Sequence, residues 1–122
     1  MRYVFVGESR SKLAIRKGVY WLDGRLAAKP PHDALRYVGL VPEDQVFLNV
    51  FQDDSTRISP ISIACIKTWS YVGFPIVAMG KRAQQILRMN DIEHLKLVHP
   101  AARGSIRKSE RYREHVREVL GV

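Results

Sequence analysis

Apolar and polar positions follow one another along this chain in two rhythms. Four short runs are apolar with few interruptions. Tyr3-Val4-Phe5-Val6 is closed by Gly7, and Val46-Phe47-Leu48-Asn49-Val50-Phe51 by Gln52-Asp53-Asp54-Ser55. Pro75-Ile76-Val77-Ala78-Met79 is closed by Gly80, and His94-Leu95-Lys96-Leu97-Val98 by His99-Pro100. Turn-forming residues bound each run, so each is predicted to be a strand. The first and third are almost continuously apolar, the pattern of strands covered on both faces. Between the runs lie helical patterns. One covers His32 to Val38, stopped by Gly39. A second opens at Ser59-Pro60, with Ile61, Ala64, Cys65 and Trp69 as its apolar stripe. A third covers Lys81 to Met89 with Ala83, Ile86 and Leu87 on one side, and a fourth Ser109 to Leu120 with Tyr112, Val116 and Leu120.

Strands alternating with helices imply a parallel sheet with right-handed crossovers. The expected architecture is one α/β domain over residues 1–122, three-layered (α/β/α), with a four-stranded, mainly parallel sheet. Residues 7 to 31 show no clear period. They are too many for an ordinary strand-to-helix loop and are therefore a candidate functional loop.

At 122 residues the chain can bury a core and fits a single domain. No apolar run approaches the length that spans a bilayer, and no signal-peptide pattern follows Met1, so a cytoplasmic protein without a membrane role is expected. Cys65 is the single cysteine, which excludes an internal disulfide and a cysteine metal cluster; its apolar setting predicts a buried, inert thiol. Charge adds more. The formal net charge is +8, and residues 1 to 30 carry seven basic side chains against two acidic ones. Residues 103 to 122 carry six against three, while residues 31 to 80 are slightly acidic. Two basic segments meeting in the fold would make one face suited to phosphates.

Open parallel sheets bind ligands beyond the carboxyl ends of their strands. The first strand delivers Glu8 there, the second Asn49, and the fourth His99. A carboxylate, an amide and an imidazole on one rim are the parts of an active site. Asn49 interrupts an apolar strand and needs polar partners wherever it is buried. Tyr20-Trp21, in the long first loop, offers aromatic faces for a base. Pro100 to Lys108 is loop-like, small and basic, fit to lie along a phosphate backbone. His32, His94 and His115 have no metal-ligand spacing with other donors, and the G-x-G-x-x-G dinucleotide pattern is absent. Neither a metal nor a cofactor is expected.

In order along the chain, four of these stretches resemble the uracil-DNA glycosylase superfamily, most nearly its iron–sulfur branch. Val6-Gly7-Glu8-Ser9 is similar to the family's Val-Gly-Glu-Ala motif, whose acid belongs to the catalytic loop. Val46-Phe47-Leu48-Asn49-Val50 resembles the strand whose asparagine reads the uracil edge. Ile76 to Ala83 resembles the third strand, glycine turn and helix start. Leu97-Val98-His99-Pro100-Ala101-Ala102 resembles the second catalytic motif. Trp21-Leu22-Asp23-Gly24-Arg25, followed by Leu35 and Gly39-Leu40, is similar to the stretch holding the family's base-stacking aromatic.

The resemblance implies Glu8 and His99 as catalytic residues, Asn49 and Trp21 as base-binding residues, and Arg103, Ser105, Arg107 and Lys108 as DNA contacts. It implies a DNA-binding repair hydrolase that excises uracil or another modified base by cutting the N-glycosidic bond. There are departures. The cluster cysteines are missing, so no iron–sulfur cluster is expected. The first motif continues Ser9-Arg10-Ser11 where the family has Pro-Gly, and the segment after the second strand is reduced to Gln52-Asp53-Asp54-Ser55-Thr56-Arg57. Two further classes stay open: a glycosylase-fold module that binds nucleic acid without chemistry, and a Rossmann-like protein acting on free nucleotides. A homo-oligomer is compatible with the sequence but has no support in it.

Overall fold

The computed structural model describes residues 2–53, 55–100 and 109–122. Within them four strands and five α-helices alternate. They are β1 (Val4–Gly7), α1 (Lys12–Lys17), α2 (Lys29–Tyr37), β2 (Val46–Asn49), α3 (Pro60–Val72), β3 (Ile76–Met79), α4 (Lys81–Met89), β4 (Leu95–Leu97) and α5 (Ser109–Leu120). The sheet has the order β2-β1-β3-β4 and is parallel throughout. β1 and β3, the two continuously apolar runs, are the central strands and are buried at every position. β2 is half-buried and β4 exposes Leu95 and Lys96, as edge strands do.

Side chains that alternate along β1 and β3 enter two separate cores. Val4, Val6, Ile76 and Ala78 pack with Ile63 and Ile66 of α3 and Ala83, Ile86 and Leu87 of α4. Tyr3, Phe5, Val77 and Met79 pack on the other face with Leu35 of α2 and Tyr112, Val116 and Leu120 of α5. Helices therefore cover both faces of the sheet, and right-handed crossovers require this distribution for the strand order 2-1-3-4. Phe5 and Leu35 are fully buried, each stabilising the fold by about 1.5–3 kcal/mol. Register at the β1–β2 edge is reinforced by Gln45, whose Oε1 accepts from Tyr3 N (2.6 Å) and whose Nε2 donates to Val41 O (3.1 Å).

Several expectations are corrected. The stretch 7 to 31 contains α1, begun by Ser11, whose side chain accepts from Ala14 N, and stopped by Gly18 at φ 65°. α2 starts at Lys29, three residues earlier than expected, because Pro30 and Pro31 fit a first helical turn. β2 ends at Asn49; beyond it Phe51 makes an isolated antiparallel bridge with Ile58. On α3 most of the expected stripe is turned away from the sheet, and of its four residues Trp69 alone packs against the core. Ile63 and Ile66 are buried, whereas Ile61 is 79% exposed and Cys65 is exposed rather than buried. Apolar residues surround that helix, so periodicity did not choose its inner face. Among the described residues no helix is long and apolar enough to cross a membrane.

Candidate functional site

The direction in which successive strands are added reverses between β1 and β3. The connection leaving β1 leads to α2 on one face, and that leaving β3 leads to α4 on the other. At such a divergence, the carboxyl ends of the two strands are where open parallel sheets offer a crevice to ligands.

Gly7 closes β1 and pairs with Asn49 of β2. A Cβ on Gly7 would stand 2.6 Å from Trp21 Cζ2 and 2.8 Å from Asn49 Oδ1, so the absent side chain is what admits both groups. Trp21 Nε1 donates to Asn49 Oδ1 at 2.8 Å. An indole N–H has no acceptor capacity, so the amide must present its oxygen to the ring. Nδ2 is then the donor that Asn49 has left to offer. Trp21 stacks on Phe47 (centroids 6.0 Å apart, planes 19° apart), and Phe47 stacks in turn on Phe5 and His32. Burial holds the His32 imidazole below its usual pKa, and the neutral ring meets Ala28 O through Nδ1 at 2.9 Å. The Trp21 wall thus stands on the core.

Gly80 performs the matching task at the end of β3. A Cβ there would lie 2.8 Å from Glu8 Oε2 and 3.1 Å from His99 Cδ2, so carboxylate and imidazole are neighbours across one glycine. Its backbone, at φ 99° and ψ 159°, lies in a region that glycine alone occupies without strain. Glu8 also stands at the amino end of α4, where the helix dipole favours a carboxylate.

The strand ends are tied together. Gln84 Nε2 donates to Leu97 O at 3.0 Å, and Gly80 N donates to the same carbonyl at 2.9 Å. Phe51 N donates to Glu8 O at 2.9 Å. α5 grips Val98, the residue before His99, from both sides. Tyr112 Oη donates to Val98 O at 3.1 Å, and His115 Nε2 accepts from Val98 N at 3.0 Å. Accepting that bond requires a neutral His115, and burial lowers its pKa accordingly. Burial also raises the Tyr112 hydroxyl well above its usual range.

Glu8, Asn49, Trp21 and His99 are all half-buried and gather along the ends of β1, β3 and their neighbours. They form one hydrogen-bonded pair, Trp21–Asn49 at Gly7, and one juxtaposition, Glu8 and His99 each set against Gly80. Arg103, Ser105, Arg107 and Lys108 lie outside the described residues. Sequence reasoning missed the two glycines as parts of the site, since making room leaves no chemical signature. It also missed Arg10, which donates to Asp53 Oδ2 at 2.8 Å and lies 4.2 Å over the Tyr20 ring. A concavity of about 870 Å³ at the opposite end of the sheet, between Gly73–Ile76 and Asp91–Leu95, holds none of these groups. Among the described residues no cluster of His, Cys, Asp and Glu is arranged to hold a metal ion.

No protein-family model matches the sequence, and no curated protein matches it. Fold and site define an α/β domain with a candidate ligand crevice at the carboxyl edge of a four-stranded parallel sheet.

Proposed function

We propose that this protein is a uracil-DNA-glycosylase-like domain that binds DNA and hydrolyses the N-glycosidic bond of uracil or another modified base. The observation that carries the reading is the approach of both Glu8 and His99 to Gly80, one strand away from the Trp21–Asn49 pair at Gly7. Cutting an N-glycosidic bond draws positive charge onto the sugar and negative charge onto the leaving base. Water adds to C1′ while the C1′–N electron pair departs with the base, which ends up protonated.

Each side chain has a part in that scheme. The Glu8 carboxylate stabilises the sugar cation and orients water. His99 donates toward the base carbonyl where negative charge grows. Asn49 reads the edge of an extruded base, and Trp21 both walls the pocket and fixes the amide. Arg103, Ser105, Arg107 and Lys108 are assigned to the DNA backbone.

Labelled uracil-containing oligonucleotides, single- and double-stranded, test this after alkaline treatment of the products. Strand scission is expected with the unaltered protein. Glu8→Gln should lower the rate by about 10²–10⁴-fold while leaving oligonucleotide affinity unchanged. No scission at stoichiometric folded protein would defeat uracil hydrolysis. A second reading, a glycosylase-fold module that binds without cutting, is favoured by one finding. The Ser9–Ser11 segment, where the family has Pro-Gly, is used structurally: Ser11 caps α1 and Arg10 is tied to Asp53. Under that reading Glu8→Gln changes neither scission nor affinity.

A further inference from the structure

Tyr20 immediately precedes Trp21, yet it is 62% exposed, a large aromatic held out in solvent. Its position is fixed from below. Tyr20 N donates to Asp23 Oδ2 at 2.6 Å, which closes the short 3₁₀ turn Trp21–Asp23 against it. One face of its ring is covered by the Arg10 guanidinium, 4.2 Å from the centroid. Arg10 is itself anchored to Asp53 and only 17% exposed, so this cation is fixed rather than waving in solvent. The three residues come from three places: the loop after β1, the 3₁₀ turn, and the loop after β2. Nothing in the fold requires them to meet, since none of them packs in either core.

An aromatic ring backed by a guanidinium, with its remaining surface exposed, is a surface on which a nucleobase stacks. Its neighbour Trp21 carries the wall at Gly7, so the ring lies one residue from the proposed base pocket. A nucleotide adjoining the one in that pocket would arrive over it.

We propose that Tyr20, backed by Arg10, is a second stacking platform that takes the base flanking the pocket nucleotide, in single-stranded nucleic acid. This rests on the nucleic-acid-binding half of the function proposed above, not on hydrolysis. Single strands are specified because a paired flanking base is already stacked on its neighbours and offers no free face.

The test is a binding cycle at fixed salt, read by fluorescence anisotropy. Unaltered protein, Tyr20→Ala and Tyr20→Phe are each titrated onto a single-stranded oligonucleotide. The same titrations use oligonucleotides in which the base on one or the other side of the target is removed, leaving an abasic sugar. For the unaltered protein, deleting the flanking base on one side should weaken binding by about 5- to 100-fold, the range for one stacked base. Tyr20→Ala should weaken binding to the intact strand similarly and be indifferent to that deletion. Tyr20→Phe, which keeps the ring, should behave as the unaltered protein. Tyr20 is exposed and packs in neither core, and circular dichroism checks that the variant stays folded. Binding that is unchanged in Tyr20→Ala, or equal sensitivity of both proteins to the abasic site, overturns the platform and leaves the proposed function standing. Absence of oligonucleotide binding by the unaltered protein overturns both. Binding with the expected cycle but without scission upholds the platform and counts against hydrolysis alone.

Discussion

A methyl group is the smallest probe of a site built around missing side chains. At Gly7 it would press on Trp21 Cζ2 at 2.6 Å and on Asn49 Oδ1 at 2.8 Å, in a strand where the backbone itself tolerates alanine. Gly7→Ala should therefore displace the indole from the amide and cost about 1–3 kcal/mol, the range for overpacking. Thermal denaturation measures the loss. Trp21 fluorescence, read in a Trp69→Phe background, should shift with it; an unchanged spectrum and midpoint would contradict the described contact. Gly80→Ala adds backbone strain to the same kind of clash, here with Glu8 and His99, and should be the more damaging of the two. The polar members of the site were legible beforehand for a simple reason. Parallel strands deliver whatever follows them to one edge, so Glu8, Asn49 and His99 had to share a rim once the strands were recognised. The bond between Trp21 and Asn49 was not legible, because 28 residues separate them and only the folded loop brings them together.

Helix α5 shows how an element that supplies no residue to the site bears on it. Its Tyr112 hydroxyl and His115 ring hold both backbone groups of Val98, and His99 follows directly. Tyr112→Phe keeps the buried ring but leaves the Val98 carbonyl without that donor, so about 0.5–1.5 kcal/mol of stability should be lost. If α5 positions His99, scission should fall further than thermal destabilisation alone accounts for at a temperature where the variant is fully folded. Equal activity of the two folded proteins would leave Tyr112 a purely structural role. Elements themselves were read well where local signals agreed. Gly80 before Lys81 gave α4 its start, and Ser59-Pro60 did the same for α3. They were read poorly where tertiary packing decided. The apolar surround of α3 left its inner face undetermined, and the sheet selected Ile63 and Ile66. α1 escaped notice because only Ala14 is buried along its six residues, which leaves no apolar stripe to detect.

Taken whole, the molecule is a cation of net charge +8, and the strength of its binding to polyanions should follow salt accordingly. Each phosphate neutralised on a single strand adds about 0.7 to the slope of log affinity against log salt. A steep slope with long oligonucleotides fits the proposed function, whereas a shallow slope with equal affinity for mononucleotides fits a protein of free nucleotides. Acid acts on the same molecule from inside. Burial lowers the pKa of both His32 and His115; His115 also accepts from Val98 N, which needs the neutral ring, whereas the His32 bond to Ala28 O only partly opposes the effect of burial. Because the unfolded chain binds these protons more readily, their contribution to stability is fully present above about pH 6.5, the ordinary histidine value. It is lost as pH falls from there through the lower pKa values of the folded state. The thermal midpoint should therefore drop between pH 7.5 and 5, a window chosen to stay above the ordinary carboxylate range. His115→Gln offers an acceptor to Val98 N that does not titrate, so its midpoint should fall less steeply over that window. A slope identical to that of the unaltered protein would mean that His115 is not among the groups that take up protons on unfolding. The rim then has a pH response of its own. Protonating His115 removes the acceptor for Val98 N and loosens the segment that carries His99, even as the added charge strengthens attraction to phosphate. Binding and scission should therefore part company in mild acid, with affinity rising while turnover falls.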